Sequence, residues 1–402
     1  MLNTDYSPWP CFTQEEIDAV STVLASNKVN YWTGTEGRSF ETEFAAWAGT
    51  DYAIALHNGT LALELALRAL NVGPGDEVIV TPRSFIASAS SVVTVGAAPV
   101  FADIDPVSQN LTADTIAAVL GPKTKAIILV HLAGLPCEMD PIMALAKSHG
   151  LKVIEDCAQA HGARYQGRPV GSIGDIGAWS FCQDKIMTTG GEGGMVTTND
   201  HDLWSKMWSY KDHGKSWEAV YQRAHPLGFR WLHESFGSNF RMLEVQAAIG
   251  RIQLRRMPEW TMRRQQIAQA LSAACSGLTG LIPTPVPNGV EHAYYRFTLQ
   301  IYPNGLKPNW NRDTVMAALT ERGLPAYVGA SAEIYREAAF ENTPYRPGIP
   351  LPAAQQVGAR SLALLTHPNL KNDEVARMAA ILRDVGQEVS FSDRLKLKAA
   401  VK

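Results

Sequence analysis

No run of apolar residues in this sequence is long enough to span a bilayer, so a membrane protein is not expected. Met1 to Pro10 has no basic stretch followed by an apolar one, and a secretory leader is not expected either. Charge of one sign is scarce. The formal net charge is −3, too small to imply a nucleic-acid partner or an anionic membrane. The five cysteines (Cys11, Cys137, Cys157, Cys182 and Cys275) are scattered, odd in number and never in C-x-x-C spacing. Neither a metal site nor a disulfide framework is therefore expected. Reduced thiols point to a cytoplasmic location. No G-x-G-x-x-G joins a strand to a helix, which counts against a Rossmann dehydrogenase. Repeats and low-complexity blocks are missing as well.

What is present is an ordinary globular composition, 46% hydrophobic and 19% charged, over 402 residues. That length exceeds one comfortable core and predicts two domains. Between about residues 50 and 200, short apolar runs alternate with helical spacing: Tyr52–Leu56, Glu77–Thr81, Pro99–Ala102, Ala126–His131 and Leu151–Ile154 read as strands. Such alternation predicts an α/β fold with a mostly parallel sheet, whose ligands gather at the carboxyl ends of the strands. We read residues 1–255 as the large domain, 256–390 as a smaller α+β domain and 391–402 as a tail. Helices are predicted at Leu243–Leu254 and again at Arg255–Ala274.

Four local features fall on predicted strand ends. Asn58-Gly59-Thr60 opens a helix, where backbone amides and a hydroxyl can hold an anion; Thr60 as a plain helix cap is the competing reading. Asp156, in Glu155-Asp156-Cys157-Ala158-Gln159-Ala160-His161, directly follows an apolar strand. A carboxylate there can keep a pyridine nitrogen protonated, and Gln159 can bond a ring hydroxyl. A helix cap by Asp156 and a buried structural His161 are the alternatives. Lys185 closes the strand that holds Ser180, where burial or a nearby cation would lower its pKa and free a nucleophilic amine. Thr188 to Gly194 follows, with four glycines in five positions that permit positive φ.

In order and spacing these segments resemble the DegT/DnrJ/EryC1/StrS aminotransferases, of the aspartate-aminotransferase-like fold (fold type I). The likeness runs from Tyr31-Trp32-Thr33-Gly34 to Thr366-His367-Pro368. The resemblance implies pyridoxal 5'-phosphate as cofactor, bound covalently by Lys185. It implies Asp156 at the pyridine nitrogen, Gln159 at the ring oxygen, Phe85 stacked on the ring, and Gly59, Thr60 and Ser180 on the phosphate. It further implies Asn239 reaching the phosphate of the neighbouring subunit, hence a homodimer with shared active sites. One glycine before the glutamate is usual in that family. Here Gly190-Gly191-Glu192 has two, and a slightly altered turn is expected.

The implied reaction is amino transfer from L-glutamate to a keto-sugar in two half-reactions, for cell-surface polysaccharide or lipopolysaccharide. The sugar is either a nucleotide-linked keto-hexose or a free 8-keto-3-deoxy-octulosonate. Trp32, Thr33, His161, His213 and Arg230 are the candidates to read it, with Lys215 and Arg241 as further cations. One branch of the family carries histidine in place of the lysine and dehydrates the sugar; Lys185 argues against that activity. The remaining alternative is a cofactor-binding regulatory protein, which salt-dependent DNA binding would reveal.

Overall fold

The structure of the chain is a computed structural model that describes residues 5–391. All but the first residue of the expected tail therefore lies outside the described residues. Apolar, β-branched runs bounded by turn residues form a seven-stranded sheet: β1 (Tyr52–Leu56), β2 (Glu77–Val80), β3 (Ala98–Phe101), β4 (Thr124–Val130), β5 (Lys152–Asp156), β6 (Ile176–Ser180) and β7 (Gly194–Thr198). Their order is β1-β7-β6-β5-β4-β2-β3. Helices cover both faces, so the central strands are apolar on both sides, as the continuous run in β4 required. Six strands run parallel. β7 is antiparallel to β1 and β6, because the link from β6 to β7 contains no helix to carry a crossover.

That link turns through Gly190 and Gly191, both at positive φ (88° and 118°). The doubled glycine thus supplies two left-handed positions in succession, which other residues adopt only with strain. Gly194 is constrained by space: a Cβ there would stand 2.3 Å from the Asn58 carbonyl oxygen.

A second, four-stranded antiparallel sheet is built from residues 281–283, 297–301, 361–364 and 326–328, in that order. The helix Asn372–Val389 and the later half of a 31-residue helix, Glu244–Ala274, pack into its core. Two boundaries differ from the sequence reading. The expected helices 243–254 and 255–274 are one, continuous across the point where the domains were divided. Its first half buries Ala247 and Leu254 against the large-sheet core, and its second half buries Ile267 and Leu271 in the small one. Pro258 sits on its exposed side. Residues 334–358 also return to the large sheet. Tyr335 and Phe340 pack in T-shaped, edge-on contact with Phe101 of β3, ring centres 5.5 and 5.6 Å apart, covering an edge strand that would otherwise stand open. Among the described residues no helix is long and apolar enough to cross a membrane.

Candidate active site

The carboxyl ends of β1, β2, β5 and β6 open into a cavity of about 630 Å³. Its walls include Gly59, Thr60, Phe85, Asp156, Gln159, Ser180 and Lys185, so the structure brings seven of the sequence candidates into one space. Asn58, not Thr60, caps the helix: its side chain accepts the Leu61 amide at 2.9 Å. Thr60 is left to line the cavity. The turn lies so close to β6 that a Cβ on Gly59 would stand 2.6 Å from that of Ser180.

Asp156 ends β5 and is buried. It accepts from the Ser88 hydroxyl at 2.8 Å and the Ala158 amide at 3.2 Å. Burial pushes its pKa up; those two hydrogen bonds and the Lys185 charge oppose the rise without cancelling it. Among the described residues this carboxylate forms no salt bridge, and it fits a protonated heteroaromatic nitrogen. Gln159 accepts the Ala133 amide through Oε1 at 2.7 Å, which fixes its flip and leaves its NH₂ end to donate. Phe85 is 69% exposed although apolar, a bare aromatic face within the cavity.

The Lys185 side chain is 16% exposed, with Nζ 3.6 Å from Asp184 Oδ1 and 5.0 Å from the centre of the Tyr295 ring. Here the expectation of a lowered pKa fails. Burial does disfavour the ammonium, but Tyr295, Asp184, Cys182 and Asp156 outweigh it and raise the pKa. Tyr295 in turn donates its hydroxyl to Asp184. The free amine must therefore be generated against neighbouring negative charge.

The five residues put forward to read the sugar do not line this cavity. His161 is fully buried between the Trp179 and Phe181 rings, at 5.2 and 5.7 Å. Burial, then the charges of Lys185 and Arg264, pull its pKa down to about 3, so it is a neutral core residue. Trp32 packs in an aromatic group with Tyr31, Trp208 and Tyr221. Thr33, His213 and Arg230 are exposed outside the cavity. Lys215 and Arg241 are both engaged by Asp212, at 3.0 and 2.7 Å. Asn239, assigned to a neighbouring subunit's site, is exposed and likewise outside this chain's cavity.

The sequence reading missed Ser84, Ser88, Glu192, Tyr295, Arg296 and Tyr327 of the cavity wall. Ser88 lies 68 positions before Asp156, and no local pattern links them. Tyr295 and Arg296 immediately precede the strand Phe297–Ile301, and nothing in the local sequence says what they face.

Behind the cavity, the Glu155 carboxylate accepts the amides of Gly171, Ile173 and Gly174 at 2.9, 2.8 and 2.6 Å and lies 3.0 Å from His131 Nε2. Burial would raise its pKa, but His131 and the backbone amides outweigh that and keep it ionised. His131, Glu155 and Cys157 present ligand atoms within 4.8 Å of one another. Yet His131 Nδ1 already accepts the Cys137 amide at 3.0 Å, and the Glu155 oxygens are occupied. The cluster is a hydrogen-bonded network that pins the turn 171–174 under β5. Removing the carboxylate would orphan those buried donors. Glu155→Ala is expected to destabilise the apoprotein by about 3–5 kcal/mol, read as a lowered urea midpoint. A shift under about 1 kcal/mol would show that the network carries no such burden.

A lysine on a turn at the sheet's carboxyl edge, a buried carboxylate with no cation of its own, an exposed aromatic face and a glycine turn at a helix start all fit pyridoxal phosphate. They define a fold type I pyridoxal-phosphate enzyme. The DegT/DnrJ/EryC1/StrS aminotransferase family model matches residues 10–383. The UDP-N-acetyl-3-dehydro-α-D-glucosamine 3-aminotransferase of Acidithiobacillus ferrooxidans is 38% identical over 87% of this chain and 88% of its own. The GDP-perosamine synthase of Caulobacter vibrioides is 39% identical over 88% and 92%. The crystal structure of an aminotransferase from Psychrobacter cryohalolentis is 57% identical, superposes with a TM-score of 0.93, and shares 96% of this chain and 99% of its own. The chain belongs to the DegT/DnrJ/EryC1/StrS aminotransferase family, and it is a pyridoxal-phosphate-dependent aminotransferase.

Proposed function

We propose that the protein transfers an amino group from L-glutamate to a nucleotide-linked keto-hexose, supplying an amino sugar for cell-surface polysaccharide. The observation that carries the reading is the meeting of Lys185 and Asp156 in one cavity, at the strand ends where the chemistry needs them. The names of the two relatives, one UDP-linked and one GDP-linked, favour a nucleotide-linked sugar over a free octulosonate.

In this reading Gly59, Thr60 and Ser180 hold the phosphate, Phe85 stacks on the ring, Gln159 donates to its oxygen and Asp156 pairs with its nitrogen. Asn239 reaches the phosphate of the second subunit of a homodimer. Pyridoxal phosphate, when bound, supplies an electron-withdrawing ring that spreads a carbanion formed beside the amino nitrogen. Lys185 Nζ takes the proton from the donor's α-carbon and returns one on the other side of the nitrogen. The reverse transfer serves the sugar. Asp156 stays ionised throughout and holds positive charge opposite it, in a site where burial strengthens the pairing. Phe85 keeps water from one face. Lys185 is present where a dehydrating relative would have histidine, and amino transfer is the reaction its amine supports.

The test is turnover with L-glutamate and a panel of UDP-, GDP- and dTDP-linked 3-keto- and 4-keto-hexoses, with the product weighed by mass spectrometry. One nucleotide-linked member is expected to gain an amine. Amination of a free keto-octulosonate alone would overturn the substrate reading.

A further inference from the structure

Two cations line the cavity, Lys185 and Arg296. The first has its task. Arg296 makes no ion pair, and its side chain makes no hydrogen bond, among the described residues. It is half-buried and lies with its guanidinium carbon 4.6 Å from the centre of the Tyr295 ring. Its backbone is tied in place, since the Arg296 amide donates to the Ala133 carbonyl at 3.4 Å where the strand 297–301 begins. Asp184, the nearby acid, is committed to Tyr295 and Lys185. A guanidinium so placed offers its donor fork to an anion from outside.

Lys185 Nζ and the Arg296 guanidinium lean on the same ring, at 5.0 and 4.6 Å, so they lie no further apart than those two distances combined. Any α-amino acid that presents its α-carbon to Lys185 Nζ carries a carboxylate on that same carbon. The cavity's acidic walls, Asp156, Asp184 and Glu192, would repel it. One cation beside the reacting atom must offset them, and Lys215, Arg230 and Arg241 stand elsewhere. We propose that Arg296 binds the α-carboxylate of the amino donor and thereby selects an α-amino acid over a simple amine. This rests on the donor half of the function proposed above.

The experiment follows one half-reaction, the bleaching of the visible cofactor band of the holoenzyme in a stopped-flow instrument. The two donors are L-glutamate and 4-aminobutanoate, which is glutamate without its α-carboxylate. Wild type should prefer glutamate. Arg296→Gln should lose about 10²-fold in the second-order rate with glutamate, as a charged bidentate pair predicts, and be unchanged with 4-aminobutanoate. Arg296→Lys should recover part of the loss. The retained cofactor band shows that the variants are folded and loaded. Equal bleaching of wild type and Arg296→Gln by glutamate would overturn the inference while leaving glutamate as donor. If wild type does not bleach with glutamate, the donor reading fails and takes this inference with it.

Discussion

Lys185→Ala is expected to bind pyridoxal phosphate and to lose amino transfer by about 10⁴-fold, the upper range for removal of a positioned proton-transfer group. The side chain projects into the cavity, and its one ion pair, to Asp184 at 3.6 Å, is loose. Folding should therefore be spared, and the cavity wall of Gly59, Thr60 and Ser180, to which phosphate binding is assigned in the proposed function, remains. What disappears is the amine that, in the proposed function, joins the cofactor to the chain and shuttles the proton. Borohydride should fix the cofactor onto wild type and not onto the variant, as mass spectrometry of the intact chain would read. A small added amine such as methylamine should restore part of the rate, because it can occupy the space the side chain leaves. Activity within tenfold of wild type would remove Lys185 from the chemistry altogether.

Asp156→Asn is expected to lower turnover by about 10²–10³-fold, the cost of one preorganised electrostatic group, and at the same time to stabilise the apoprotein at neutral pH. The two effects have one cause. The buried carboxylate has a raised pKa because desolvation disfavours its charge. Its folded state thus holds a proton more tightly than the unfolded chain does. Apoprotein stability must then fall as pH rises from the unfolded value through the folded one, and the penalty persists above it. Asparagine carries no such penalty. The variant's advantage over wild-type apoprotein should be full at neutral pH and vanish in acid, below the carboxylate's unfolded pKa. Urea midpoints of both apoproteins across pH would show the curves converging. With cofactor bound the order should reverse, since only the carboxylate gains a cationic partner. A variant apoprotein no more stable than wild type at neutral pH would mean that Asp156 is not strained in the empty site.

Much of the cavity lining was legible because its groups stand at, or a few residues beyond, strand ends. The apolar run before Asp156, the run through Ser180 ahead of Lys185, and the glycine turn after Leu56 each mark where a buried strand stops and the chain meets a ligand. That rule acts on adjacent residues and needs no knowledge of distant ones. It fails where contact depends on packing between remote segments. His161 shares a segment with Asp156, and so looked available; in the fold it points the other way, between Trp179 and Phe181. Arg230, Lys215 and Arg241 had the right charge, but Asp212 holds two of them and the third is exposed elsewhere. Arg296, just before the strand Phe297–Ile301, carries no local mark of its place in the cavity wall.

The sequence alone therefore determined the α/β class, the strand ends and seven of the groups that line the cavity, because hydrophobic period and strand termini are local properties of the chain. Only the tertiary structure decided the rest. It joined the helix across residues 244–274, returned 334–358 to cover β3, set Ser88 against Asp156, placed the Tyr295 ring and the Asp184 carboxylate beside Lys185, and turned Arg296 into the cavity. Each of those outcomes depends on burial and charge shared between segments far apart in the chain.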